Sequence, residues 1–117
     1  MNYPKRSEIF LANLDPTIGS EIKKVRPVLI IQNNILNKYS KVVIVCPITS
    51  KVRKGQTRVF LSKKEGGLDK DSVILTQQVR CIDKRRLIKP LGEIDEEKMQ
   101  KVNFALKISQ GLINIDD

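Results

Sequence analysis

Lys41-Val42-Val43-Ile44-Val45-Cys46-Pro47-Ile48 (KVVIVCPI) is a continuous apolar run rich in β-branched residues. Such side chains suit a pleated, packed surface, and a run without alternation suits a strand covered on both faces. Pro27-Val28-Leu29-Ile30-Ile31-Gln32 (PVLIIQ) is a second run of this kind, broken by Asn33-Asn34. Residues 35–39 then read as a short helical turn. Pro47 has no N–H for a ladder, so pairing is predicted to fail near the end of its strand. Thr49 and Ser50 emerge there at a rim. A chain of 117 residues holding two such strands reads as one domain, residues 1–117, with a single modest core.

Shorter strands flank these two. Residues 9–14 form a strand stopped by Asp15-Pro16, a turn former. Residues 17–25 are a polar loop with Gly19 near its middle, residues 51–55 a basic loop, and residues 57–61 a strand. Gly66-Gly67 marks a turn within 63–70. Residues 72–82 are expected to run as one long, bent strand. Residues 83–86 form a polar turn, and 91–94 a last short strand. The C-terminal segment is helical. Asp95 is its expected N-cap, with Glu96 and Glu97 in the positive first turn. Ile94 and Met99 fit a hydrophobic staple. Met99, Val102, Ala105, Leu106, Ser109, Leu112 and Ile113 follow helical spacing. The fold class is therefore mainly β (α+β): a small, partly open barrel with a C-terminal helix. Strand and helix do not alternate, which excludes a doubly wound parallel sheet.

Composition narrows the chemistry. The chain carries a formal charge of +9 and no histidine. Residues 95–117 hold five acids against three lysines, so the positive excess lies in residues 1–94. A basic folded face attracts polyanions. With no histidine, the chemistry must come from arginine, hydroxyls and carboxylates, a set suited to phosphate. Cys46 and Cys81 both lie in apolar runs and read as buried thiols of a reducing cytosol. Two cysteines without histidine make a poor metal set, so no metal or other cofactor is expected. No apolar run approaches the roughly 20 residues needed to cross a bilayer, and no secretion signal opens the chain.

Arg26 precedes a proline, which holds it extended where the polar loop meets the strand. Its guanidinium suits bidentate phosphate contact. Thr49 offers a hydroxyl at the end of the second strand. Glu21, in the loop before Arg26, is expected to face the same pocket.

The chain resembles the MazF/PemK family of toxins, the ribosome-independent endoribonucleases of toxin–antitoxin pairs. The likeness runs through Arg6-Ser7-Glu8-Ile9-Phe10-Leu11, Leu14-Asp15-Pro16-Thr17-Ile18-Gly19-Ser20-Glu21, Arg26-Pro27-Val28 and Pro47-Ile48-Thr49-Ser50. It continues through Gly67-Leu68-Asp69-Lys70-Asp71-Ser72-Val73-Ile74-Leu75, Gln78-Val79-Arg80 and Ile82-Asp83-Lys84-Arg85-Arg86-Leu87. The resemblance implies an SH3-like barrel of the MazF/CcdB type, a homodimer, a cytoplasmic location and an acidic antitoxin partner. It implies sequence-specific cleavage of single-stranded RNA (mRNA), without metal, to a 2′,3′-cyclic phosphate and a 5′-hydroxyl. The family's catalytic arginine falls on Arg26, its catalytic threonine on Thr49 and its acidic loop residue on Glu21. Its base-contacting residues fall on Thr17, Ile18, Ser20 and Gln78.

Charge contacts to RNA are expected from Arg6, Lys51, Arg53, Lys54, Arg58 and Arg80. With only Tyr3, Phe10, Tyr39, Phe60 and Phe104 as aromatics, stacking on a large aromatic platform is not expected. The chain departs from the family pattern at Ser7 and Glu8, which stand for Gly-Asp, and at Gln77, which stands for a glutamate. It also lacks a histidine that some relatives carry in the first loop. These changes bear on which RNA sequence is read. Two other uses of such a chain are a CcdB-like gyrase-binding toxin and a basic SH3-like RNA-binding module.

Overall fold

The computed structural model describes residues 2–21 and 24–115. Positions 22–23 of the expected first loop lie outside the described residues, as do 1 and 116–117. The strands are β1 (Glu8–Asn13), β2 (Val25–Ile30), β3 (Val42–Thr49), β4 (Arg58–Leu61), β5 (Ser72–Leu75), β6 (Arg80–Asp83) and β7 (Leu87–Glu93). The helices are α1 (Asn34–Tyr39) and α2 (Glu96–Ser109). Three short 3-10 turns cover 65–67, 76–78 and 84–86.

All seven strands join one antiparallel sheet in the order β4-β5-β3-β2-β1-β7, with β6 also on β3. Among the described residues β4 and β7 end this order unpaired with each other, so the sheet rolls without closing. No helix among the described residues is long and apolar enough to cross a membrane.

The opening run is the hinge of this roll. One edge of β3 pairs with β2 through Val45, Cys46 and Pro47. The other edge pairs with β6 through residues 42–45 and then with β5 through Ile48 and Thr49. Cys46 and Pro47 fall in the gap between those two partners. The missing proline N–H thus costs nothing on that edge, as its chemistry requires.

Both faces of β3 are covered only over residues 45–49; Val42 and Ile44 are exposed, so the expectation of a strand covered on both faces fails in its first half. Val43 and Val45 pack with Ala12, Leu14, Val28, Ile30 and Ile82. Cys46 and Ile48 pack on the other side with Ile9, Leu29 and the buried stripe of α2, Met99, Val102, Ala105 and Leu106. A helix of α2's length is marginal alone, whereas each fully buried side chain contributes about 1.5–3 kcal/mol. Packing therefore decides its stability. Asp95 caps it, accepting from Lys98 N at 2.8 Å. Ile94 and Met99 are both buried in the same core.

Four other expectations need correction. Residues 72–82 are not one strand. Thr76 breaks them, because its N–H and its hydroxyl both donate to Thr57 O and fold the chain from β5 toward β6. β7 begins at Leu87 rather than 91, since an edge strand tolerates Pro90. The helix stops at Ser109 and Gly111 turns the chain at φ 73°, which leaves Leu112 exposed.

The fourth correction is Cys81, which is exposed, while Cys46 is buried. Cys81 lies on β6 beside inward Ile82, so alternation turns it outward. Burial pushes the Cys46 thiol up to about 12, against a smaller opposing effect of the Arg6 charge. A thiol reagent at neutral pH is expected to label native protein once, at Cys81. Peptide mass mapping checks this, and equal labelling of Cys46 would contradict it.

Candidate active site

Val28 of β2 lies opposite Pro47 of β3, and the ladder between these strands ends there. Two residues further along each strand, the extrapolated register would set Arg26 opposite Thr49, but the two strands are no longer paired there. Side chains two apart share a face, so both stand on the side of Val28 and Pro47. Arg26 is anchored from the other edge of β2 by pairing with Ala12, and Thr49 is anchored by pairing with Val73 of β5. The two residues therefore flank an opening in a sheet that is otherwise fixed.

Thr49 is only 8% exposed, and its Oγ1 accepts from Lys51 N at 3.2 Å. This bond sets the start of the basic 50–57 loop. Arg26 lines a cavity of about 460 Å³ together with Ser50, Asp69, Lys70, Ser72 and Lys89; Thr49 is not among its lining residues, because it alternates to the opposite face of β3 from Ile48 and Ser50. Arginine and two lysines against one aspartate make a site for an anion. The two lysines were not singled out from sequence; Lys89 reaches the site only because β7 pairs with β1.

Glu21 does not share this cavity. It lines a separate one of about 450 Å³ with Ser20, Thr57, Arg58, Gln77, Gln78 and Arg80, which shares no lining residue with the Arg26 cavity. Its carboxylate accepts from Ile18 N, and its own N–H donates to Ile18 O. Glu21 thus closes its loop around Gly19, whose φ is 59°. The base of the loop is stapled by Leu14 N to Lys24 O and by Lys24 N to Asp15 Oδ1.

Two arginines hold that base from across the sheet. Arg80 donates to Leu14 O at 3.2 Å, and Arg86 donates to both Asn13 O and Asp15 O. Arg80, expected as an RNA contact, lines the Glu21 cavity while bracing the loop. Arg86 sits two residues beyond the 3-10 start at Lys84, where Asp83 caps Arg85 N. The Arg85 guanidinium holds the Asp83 carboxyl below its usual range. Replacing Arg86 with alanine is expected to lower stability by about 1.5–3 kcal/mol, the worth of hydrogen bonds to a charged group. Thermal unfolding checks this, and an unchanged midpoint would contradict the bracing role.

The remaining expected contacts fall in two groups. Of the first-loop residues, Ser20 lines the Glu21 cavity; Thr17 and Ile18 do not, and Ile18 is 84% exposed. Lys51, Arg53 and Lys54 are exposed on the loop that follows Thr49. Arg6 is placed differently. Its guanidinium donates to Ile31 O at 2.9 Å and to Asn103 Oδ1, tying the end of β2 to α2. That is a structural engagement, and Arg6 lines neither cavity.

Residues 5–109 match the family model described as PemK-like, MazF-like toxin of type II toxin-antitoxin system. The chain is 50% identical over 114 residues to the endoribonuclease MazF of Staphylococcus epidermidis, covering 96% of this chain and 95% of that protein. It is 46% identical over 112 residues to the endoribonuclease EndoA of Bacillus subtilis, covering 94% and 97%. A solved structure of an endoribonuclease in complex with its cognate antitoxin, from a mycobacterial species, superposes with a TM-score of 0.80 at 24% identity. It covers 96% of this chain and 99% of that one, and shares the fold. The chain belongs to the PemK-like, MazF-like toxins of type II toxin-antitoxin systems.

Proposed function

We propose that this toxin is a sequence-specific, ribosome-independent endoribonuclease that cuts single-stranded RNA at the Arg26/Thr49 opening. The observation that supports this most is that Arg26 and Thr49 stand at the adjoining ends of paired strands β2 and β3, with Arg26 lining a cavity that also carries Lys70 and Lys89. The RNA's 2′-oxygen attacks the adjacent phosphorus and forms the P–O2′ bond. The P–O5′ bond breaks, leaving a 2′,3′-cyclic phosphate and a 5′-hydroxyl. Arg26 and Thr49 donate hydrogen bonds to the phosphoryl oxygens as charge gathers on them. A guanidinium keeps its proton in proteins, so the departing 5′-oxygen takes its proton from solvent.

In this reading the RNA spans both cavities, and Glu21 leaves Ile18 N and swings out of its own cavity to accept the 2′-hydroxyl proton. General-base catalysis contributes about 10²–10⁴-fold. Glu21→Gln and Glu21→Ala should therefore lose cleavage alike, by at least about 10²-fold. Glutamine can still accept from Ile18 N. A glutamine variant of normal rate beside a slow alanine variant would reduce Glu21 to a loop brace.

The Glu21 cavity, with Gln78, Arg80 and the loop residues Thr17, Ile18 and Ser20, reads the bases. Lys51 and Arg53 take flanking phosphates. The toxin acts in the cytoplasm as a homodimer, and an acidic antitoxin segment covers the basic face. A chain of +9 suits such a partner, and the mycobacterial neighbour is in complex with its cognate antitoxin. Incubating the purified protein with one long RNA, with chelator present, and mapping the ends tests the reading. Cyclic-phosphate and 5′-hydroxyl ends at a recurring sequence are expected. RNA left whole by folded protein would favour a binding protein instead.

A further inference from the structure

Phe60 and Phe104 are 46% and 54% exposed. They lie far apart in the chain, yet both line one cleft of about 500 Å³ between β4 and α2. The core does not account for them. Phe60 alternates out from buried Val59 and Leu61, and Phe104 stands off the buried stripe of α2. Around them are Arg58, Lys98, Gln100 and Lys101, and among the described residues no carboxylate lines the cleft. Lys98 donates to Phe60 O at 3.0 Å and pairs with Glu65 at 3.5 Å, which holds the edge strand against the helix. The cleft is therefore preformed.

Arg58 lines both this cleft and the Glu21 cavity. The two hollows are thus neighbours along one surface. Aromatic side chains in a positively charged groove are the physical recipe for unpaired nucleotides, whose flat faces stack and whose phosphates seek cations.

We propose that the cleft between β4 and α2 seats unpaired nucleotides of the RNA lying beyond those read at the Glu21 cavity, through stacking on Phe60 and Phe104. This rests on the proposed ribonuclease function and extends its substrate site. Continuity through Arg58 favours RNA over an acidic peptide, which would also suit the charge.

The test uses the full chain and two kinds of RNA carrying the mapped cut sequence. One kind is trimmed close to that sequence, and the other is extended by unpaired nucleotides at the 5′ or the 3′ end. Wild-type protein should cut one extended RNA with higher kcat/KM than the trimmed one. The Phe60→Ala/Phe104→Ala variant should cut that extended RNA about tenfold less well, the effect of one lost stack. It should cut the trimmed RNA normally. Phe60→Leu/Phe104→Leu, which keeps apolar bulk without a flat ring, should behave like the alanine variant. Equal cutting of all RNAs by every form overturns the proposal. So does a loss shared by the trimmed RNA, or normal RNA cutting with lost binding of an acidic antitoxin peptide. If wild-type protein cuts no RNA at all, the proposed function fails instead. The cleft is then read by binding of an unpaired homopolymer: weaker binding by the alanine variant than by wild type supports it as a nucleotide seat, and equal binding overturns the proposal.

Discussion

Arg26→Ala is expected to slow RNA cleavage by about 10²–10³-fold, the cost of one preorganised donor to a developing oxyanion, while the protein stays folded. The two halves of this statement rest on different observations. Arg26 lies at the start of β2, half-buried and outside both core clusters. Its backbone pairing with Ala12 does not depend on its side chain. A truncation there should cost little stability, as surface changes usually do. The rate effect comes from charge that only the transition state develops. Arg26→Lys should recover part of the loss, because it restores the charge but not the planar fork. Single-turnover cleavage with circular dichroism on the same samples separates the two effects. An alanine variant of normal rate would remove Arg26 from the chemistry.

Gly67→Ala should damage the fold itself. The 65–67 turn lies with its backbone against that of β7. A Cβ at Gly67 would sit 2.0 Å from Leu91 O and 2.6 Å from Leu91 C, backbone atoms that cannot swing aside. Its φ of 79° adds left-handed strain. Strain of about 1–2 kcal/mol and overpacking of about 1–3 kcal/mol together lower stability by about 2–5 kcal/mol. At about 4 °C per kcal/mol, the thermal midpoint should fall by about 8–20 °C. Gly111→Ala is the internal control. It has a similar φ of 73° but nothing within 4 Å of the added atom, so it should lose only the strain, about 1–2 kcal/mol. Equal losses at the two glycines would mean that close backbone approach is not what Gly67 serves. Because Gly67 also lines the Arg26 cavity, a surviving Gly67 variant should cleave poorly as well.

The contrast between legible and illegible features has a physical pattern. The buried strands were legible because β3 and its β2 neighbour are apolar on both faces, and the sequence carries that directly. α2 was legible through Asp95, the Ile94–Met99 contact and helical spacing, all local signals. Its end was not, because Leu112 and Ile113 keep the spacing after Gly111 has turned the chain. The break at 76–78 was hidden for another reason. Thr76 reads as a strand residue, and only its long-range bonds to Thr57 turn the chain. Cys81 looked buried because an apolar run does not say which face a helix will cover.

The site divides along the same line. Arg26 and Thr49 were legible as the polar ends of two apolar runs, which the fold sets on adjacent strands β2 and β3. The position of Glu21 was not, since a loop residue close in sequence to Arg26 can bend into a different cavity. Arg86 and Lys89 were illegible as parts of the site. Their places depend on β6 and β7 returning beside the first loop, a consequence of topology alone. Phe60 and Phe104 each look like an incidental surface aromatic until the fold sets them in one cleft.

The most direct test is a double-mutant cycle on one RNA, measured in single turnovers, with Arg26→Ala, Thr49→Ala and the combined variant. Thr49→Ser, which keeps the hydroxyl, serves as the control and should stay near the normal rate. If the guanidinium and the hydroxyl grip the same phosphate, the combined variant will be scarcely slower than the slower single variant, as for residues that act as a unit. Losses that multiply would show two independent groups and contradict the account.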